Sequence, residues 1–192
     1  MSKRYWTADW HLGHGNIIKY CGRPFKSVEH MTERIVGNAN MRVDEDDALV
    51  HVGDFCTRGV CKGVEGARLY YRDYVKLVNG TMVLLEGNHD PQNKTKTVGR
   101  YMFTPIGKYM AFVTHHPTDN IIHPPSLIEA AYSTCDFAIC GHVHEKWKTM
   151  EHHATHGHPP FLNINVGVDQ HKFNPVSDDE VISIYERWSR SK

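Results

Sequence analysis

The sequence has 192 residues, of which 40% are hydrophobic and 23% are charged, as is ordinary for one soluble globular domain. Lys and Arg together number 22, as do Asp and Glu, so no net positive charge would attract long nucleic acid or an anionic membrane. No apolar run approaches the roughly 18 residues of a membrane span, and none follows the basic N-terminal residues as a secretory signal would require. We therefore expect a single domain over residues 1–192 in the cytoplasm, with no membrane partner.

Strand-like and helix-like segments alternate in the first half of the chain. β-favouring runs predict strands at residues 5–8, 48–52 and 82–85. Apolar residues at helical spacing predict one helix that begins after Ser27 and another over residues 64–78. This β-α-β-α-β order predicts parallel strands joined by right-handed crossovers.

The second half of the chain is richer in predicted strands. Residues 101–103 and 109–114 flank Pro105-Ile106-Gly107 and predict a hairpin. A short helix is predicted over residues 126–132, and the His-rich stretch 151–158 is predicted to be a loop. The remaining apolar runs predict strands at residues 137–140, 161–166 and 181–188.

Polar clusters rich in histidine follow several of the predicted strands. The chain contains 15 histidines, and histidine is the commonest metal ligand near neutral pH. Five clusters lie just past strand C-terminal ends: Asp9-Trp10-His11, Gly53-Asp54, Gly87-Asn88-His89-Asp90, His115 and Gly141-His142-Val143-His144. Ligands of open α/β sheets bind outside these strand ends, which converge in space. The clusters are therefore predicted to form one site.

The side chains in these clusters make a mixed oxygen and nitrogen ligand set without thiolate. Such a set suits Mn, Fe, Zn or Ni and is poor for Ca²⁺ or for a structural Cys-type zinc site. The seven predicted metal ligands are Asp9, His11, Asp54, Asn88, His115, His142 and His144. Seven ligands are too many for one ion and suit two, which at about 3.5–4 Å apart form the clamp for in-line displacement at phosphorus. The predicted cofactor is two divalent ions, with Mn²⁺ expected first and Fe, Zn, Ni or Mg as alternatives.

The order and spacing of the five clusters resemble the calcineurin-like metallophosphoesterase superfamily. The stretch Asn165-Val166-Gly167-Val168-Asp169 is similar to its compact bacterial and phage members. The resemblance implies an α/β fold of two facing mixed β-sheets flanked by helices, a four-layer α-β-β-α sandwich. It also implies hydrolysis of a phosphate ester by a metal-bridging hydroxide, with His89 as the general acid.

The resemblance further implies how the ligands divide between the two ions. One ion would be held by Asp9, His11 and His144. The other ion would be held by Asn88, His115 and His142. Asp54 would bridge both ions, and His116 is expected to point away from them.

Three more residues are candidates for phosphate binding. Arg58 matches the phosphate-contacting Arg of the superfamily by position, and a guanidinium suits phosphate geometry. His14 and Asn16 follow the first cluster closely and are predicted either to line the phosphate pocket or to belong to a loop that caps the next helix.

Thr57 departs from the pattern of the phosphoprotein phosphatases in this superfamily. They carry GDxxDRG, whereas this chain reads Gly53-Asp54-Phe55-Cys56-Thr57-Arg58-Gly59, so the Asp that orients their acid histidine is absent here. This departure favours a phosphodiester over a phosphoprotein as substrate. The expected partner is a small phosphate ester or nucleotide, with short strands but not extended nucleic acid as a further substrate. The alternatives are a non-catalytic scaffold of the same fold for protein interaction, and a small nuclease.

Overall fold

Two mixed β-sheets face each other in the computed structural model, which describes residues 2–57, 69–152 and 158–192. The first sheet contains β1 (Arg4–Thr7), β2 (Ala48–Val52), β3 (Thr81–Leu85) and β9 (Val176–Ser177), in the spatial order β3-β2-β1-β9. The second contains β4 (Tyr101–Ile106), β5 (Tyr109–Thr114), β6 (Phe137–Cys140), β7 (Thr149–His152) and β8 (Phe161–Asn165), in the order β4-β5-β6-β8-β7. The central strands of each sheet are parallel, and β4, β7 and β9 are antiparallel edge strands.

Helices cover the outer faces of both sheets. The helices are α1 (Gly15–Tyr20), α2 (Val28–Asn40), α3 (Tyr71–Val75), α4 (Asp90–Asn93), α5 (Pro125–Thr134) and α6 (Asp178–Ser189). The first three pack on the first sheet, and α5 packs on the second through Ala131, which shares a buried cluster with Phe112 and Ala138. None of the described helices combines the length and apolar character needed to cross a bilayer. The α-β-β-α layering implied by the sequence is confirmed.

The alternation of side chains along each strand builds two cores, one on either face of the first sheet. Tyr5 and Leu49 point outwards and are buried against the helices. Trp6 and Val50 point inwards and meet the second sheet. The inter-sheet core also contains Val52, Val113, Ile139 and Ile164, all of them buried. The parallel strands end at one edge of these cores, and the polar clusters follow directly after them.

The strand predicted over residues 181–188 is wrong, because α6 occupies this segment. The Ser177 hydroxyl accepts a hydrogen bond from the Glu180 amide at 3.3 Å, and the Glu180 carboxylate accepts one from the Ser177 amide at 2.8 Å. This capping box starts a helix. Val181 and Tyr185, one turn apart, then face the inter-sheet core.

Three other predicted segments differ from the structure. Of the helix predicted over residues 64–78, the described part is α-helical only at Tyr71–Val75, and residues 58–68 lie outside the described residues. β4 continues through Pro105, which an edge strand tolerates, so the hairpin turns at Gly107, whose φ is 59°. The predicted His-rich loop begins with β7, which pairs with β8, while residues 153–157 lie outside the described residues.

Candidate metal centre

The predicted ligands converge at the edge where the parallel strands of both sheets end. The ligand atoms of Asp9, His11 and His144 all lie within 4.8 Å of one another. A second group with the same spacing consists of Asp9, Asp54 and His115. Strands β1, β2, β5 and β6 each deliver at least one of these residues. The structure therefore brings together side chains that are up to 135 positions apart in the printed sequence, from 9 to 144.

Asp54 lies between one imidazole from each predicted ligand set. Its Oδ2 atom is 3.5 Å from His11 Nε2 and 3.4 Å from His115 Nε2. Burial would raise the pKa of Asp54, but the hydrogen bond and charge of His115 hold it well below its usual range. Asp54 is therefore an anion at neutral pH, in the position expected of a carboxylate shared by two cations.

Asn88 and His115 form the other side of the centre with His142. Asn88 Oδ1 is 3.2 Å from His115 Nε2 and 3.2 Å from His142 Nδ1. His115 Nδ1 donates to the carbonyl oxygen of Val52 at 2.8 Å, which leaves Nε2 facing Asp54 and fits a metal-ligating tautomer. Burial lowers the pKa of His115, but Asp54 outweighs it and raises the value to about 9. A cation bound here would compete with that proton.

His144 is oriented by a buried ion pair that the sequence analysis did not assign. Its Nδ1 atom is 2.9 Å from Asp169 Oδ2, and Arg23 donates to both Asp169 oxygens at 2.8 Å. Arg23 also donates to the carbonyl oxygens of Asp9 at 2.7 Å and Trp10 at 3.0 Å. One guanidinium therefore joins the backbone of the first cluster to the imidazole of the last. Asp169 ends the stretch that resembles compact members of the superfamily, whereas no pattern in the sequence indicates a role for Arg23.

Asp90 also helps to position the metal ligands, because its carboxylate joins two of the loops that carry them. Its carboxylate is fully buried and accepts hydrogen bonds from the amides of Asp54 at 2.8 Å, Gly87 at 2.8 Å and Phe55 at 3.2 Å. The loops after β2 and β3 therefore share one anion. The only sequence signal was its place directly after Asn88-His89.

The backbone of the site is strained at several predicted ligands. Five of them have left-handed φ angles between 49° and 70°: Asp9, His11, Asp54, His142 and His144. Non-glycine residues seldom adopt such angles, and strain of this kind concentrates at functional sites. Gly87 permits the close approach of the loops, because a Cβ atom there would overlap the Asp54 carboxylate.

The donor chemistry of the centre fits divalent cations. His11 is 2% exposed, and its Nε2 atom makes no hydrogen bond within the part of the chain that the structure describes. Burial lowers the pKa of His11 well below its ordinary value, so its imidazole is neutral and has a lone pair for a metal. Burial raises the pKa of Asp9 to about 6, although the charges of His115 and His144 act in the opposite direction. An orphaned imidazole nitrogen facing two buried carboxylates is typical of a metal site.

The predicted general acid and the residues predicted to bind phosphate lie at different distances from this centre. His89 is at the rim with a side chain 41% exposed, and its Nε2 atom is 3.9 Å from Asp54 Oδ2. His14 is near it, with ring centroids 6.3 Å apart, and its buried Nδ1 makes no hydrogen bond among the described residues. Asn16 is exposed in α1, and among the described residues no hydrogen bond joins its side chain to the centre. Arg58 lies outside the described residues.

His116 is closer to the centre than predicted. A ring nitrogen of His116 lies within 4.8 Å of those of His115 and His142, although it was expected to point away. Its ring centroid is 4.4 Å from that of His142. The chain turns after β5, so the side chains of consecutive residues no longer alternate across the sheet there.

Comparisons with known proteins agree with this geometry. A family model described as calcineurin-like phosphoesterase matches residues 3–114, more than half of the chain. The chain belongs to the calcineurin-like phosphoesterase family. The chain is 31% identical over 197 residues to an uncharacterized protein from Methanocaldococcus jannaschii, covering 97% of this chain and 93% of that protein. It superposes with a TM-score of 0.68 on a protein of unknown function from Aquifex aeolicus, at 22% identity and covering 96% of this chain and 100% of that one. The family usually binds divalent metals, and this member has a cluster of Asp and His residues suited to them.

Proposed function

We propose that this calcineurin-like phosphoesterase hydrolyses phosphate esters with two divalent metal ions, Mn²⁺ first among them, and prefers phosphodiesters to phosphoproteins. The observation that carries the proposal is the position of Asp54, whose Oδ2 atom lies 3.5 Å and 3.4 Å from imidazoles of the two predicted ligand sets. A carboxylate that lies between imidazoles of two ligand sets supports a pair of cations rather than a single one.

The residues of the centre would divide the work between holding the ions and moving a proton. Asp9, His11 and His144 would hold one ion, Asn88, His115 and His142 the other, and Asp54 both. Bound ions would offset the charge of the phosphate oxygens and lower the pKa of water. His89 would give its proton to the leaving oxygen, because its ring is at the exposed rim where a substrate enters.

The diester preference rests on the surroundings of His89. Among the described residues, Asp54 is the carboxylate within 4.0 Å of the His89 ring, and no second acid joins it. Thr57 lacks a carboxylate, so it would not stabilise a protonated imidazole that attracts a dianionic monoester. A diester carries one negative charge and depends less on such a cation.

Turnover by metal-stripped and reloaded protein tests the proposal. We expect no hydrolysis without metal, most activity with Mn²⁺ among Mn, Fe, Zn, Ni and Mg, and a higher kcat/KM for bis(p-nitrophenyl) phosphate than for p-nitrophenyl phosphate. Strong preference for the monoester would contradict the diester assignment alone. Tight metal binding without turnover of either ester would favour the non-catalytic scaffold.

A further inference from the structure

A cavity of about 720 Å³ opens directly beside the metal centre. It lies between β4, the segment of residues 117–124 and the first turns of α5. Asn88 and His116 form its wall on the side of the centre. Asn88 Oδ1 is 3.2 Å from His115 Nε2, so a phosphate held at the ions would have one ester substituent next to this opening.

Ring side chains in fixed positions surround the cavity. Tyr101, His116 and His123 line it, and Ile122 and Leu127 add apolar surface. Tyr101 packs on Phe112 with ring centroids 6.1 Å apart, yet 48% of the residue remains exposed. His123 Nε2 is 3.1 Å from the carbonyl oxygen of His116, which holds its ring against rotation. Rings that are already oriented can stack on a planar ligand at little entropic cost.

Polar groups in the same cavity argue against an aliphatic ligand. Arg100 donates through Nε to Glu86 at 2.8 Å, and its terminal nitrogens make no hydrogen bond to any described residue. Ser126 adds a hydroxyl to this lining. The Arg100 side chain is 79% exposed, so its terminal nitrogens are open to a ligand, and an acyl chain would offer them no acceptor. A planar heterocycle with donors and acceptors on its edge would satisfy them.

We propose that this cavity binds the base of a nucleotide, so that the substrates are nucleoside phosphoesters. The inference rests on the proposed phosphoesterase function and specifies its substrate class. The volume lies within the roughly 300–1,000 Å³ typical of small-molecule pockets, and the rings supply the stacking surface that bases favour. Tyr101, His123 and Leu127 are the residues assigned to base recognition.

Calorimetry with the Mn²⁺-loaded protein separates the contribution of the base to binding affinity from that of the sugar phosphate. Adenosine 5′-monophosphate should bind at least roughly tenfold more tightly than ribose 5-phosphate, since stacking on an aromatic ring contributes that much or more. Tyr101→Ala should remove most of this difference and leave ribose 5-phosphate affinity unchanged. Equal affinities in the unsubstituted protein would overturn the inference.

Filling the cavity provides a kinetic test with a matched control on the same helix. Ala130 lines the cavity from α5, whereas Ser133 is exposed on α5 outside it. Ala130→Trp should lower kcat/KM for thymidine 5′-(p-nitrophenyl) phosphate by about tenfold or more, the loss of one stacked base. Ser133→Trp should not, and methyl p-nitrophenyl phosphate should be hydrolysed equally by both variants.

The two esters distinguish a failure of this inference from a failure of the proposed function. If neither ester is hydrolysed under any metal condition, the phosphoesterase proposal is wrong. If methyl p-nitrophenyl phosphate is hydrolysed as efficiently as the thymidine ester, and Ala130→Trp affects neither, the phosphoesterase proposal stands and the nucleotide cavity does not.

Discussion

Replacing Asp90 by Asn should loosen the loops after β2 and β3 and weaken metal binding with them. The carboxylate accepts three backbone hydrogen bonds in a fully buried position, two on Oδ2 and one on Oδ1. An amide has one acceptor oxygen, so at best it keeps the two bonds from Asp54 and Gly87. Its NH₂ group then faces the Phe55 amide, donor against donor.

The size of the effect follows from these contacts. The lost bond to a charged group is worth about 1.5–3 kcal/mol, and the two kept bonds weaken by roughly half when the acceptor becomes neutral. Asp90→Asn should therefore lower the free energy of unfolding by about 3–6 kcal/mol. Mn²⁺ affinity should fall by roughly 10–100-fold, the usual effect of losing a partner that orients a metal loop.

Urea unfolding in chelator and calorimetric titration with Mn²⁺ measure the two effects separately. Asp136→Asn is the matched control, since its exposed carboxylate accepts a single amide hydrogen bond from Met110 at 2.7 Å. The control should change stability by no more than about 1 kcal/mol and leave metal affinity unchanged. If Asp90→Asn resembled Asp136→Asn in both assays, Asp90 would not be the tie between the loops.

Four further substitutions test the bridging carboxylate, the general acid, the preference for diesters and the cap of α6. Asp54→Ala should reduce metal content and turnover together, measured by elemental analysis and ester hydrolysis on one sample; two retained ions with normal turnover would exclude it as the bridge. His89→Ala should retain both metals and lose roughly 10²–10⁴-fold in rate with poor leaving groups, but less with nitrophenolate. An equal loss for both leaving groups would make His89 structural. Thr57→Asp should shift the ratio of kcat/KM towards the monoester, and an unchanged ratio would refute the argument from Thr57. Ser177→Ala should lower unfolding free energy by about 1 kcal/mol through loss of the α6 cap, with no effect on Mn²⁺ affinity.

Local patterns in the sequence were sufficient to place most of the strands, although not β7 or β9, and to place the edge where the site lies. Ala48–Val52 is an apolar run bounded by polar residues, and its predicted bounds are those of β2. The inference that polar clusters after parallel strands meet at one edge follows from topology alone. It needed no knowledge of side-chain packing.

The features that the sequence did not reveal depend on contacts between distant residues. Val181, Tyr185 and Trp188 favour a strand by composition, and this preference obscured the capping box that starts α6. Arg23 and Asp169 are 146 positions apart, so no local pattern could pair them. Left-handed angles such as those at Asp9 and His142 are uncommon for non-glycine residues, and no local pattern in the sequence predicted them.

A Mn²⁺ titration of metal-free protein, followed by the rate of bis(p-nitrophenyl) phosphate hydrolysis, tests whether the reaction depends on two metal ions. We expect no hydrolysis before metal is added, a rise in rate as the ions bind, and a plateau near two ions per chain, as for a two-metal site. A full rate in protein that elemental analysis shows to be free of metal would contradict this expectation.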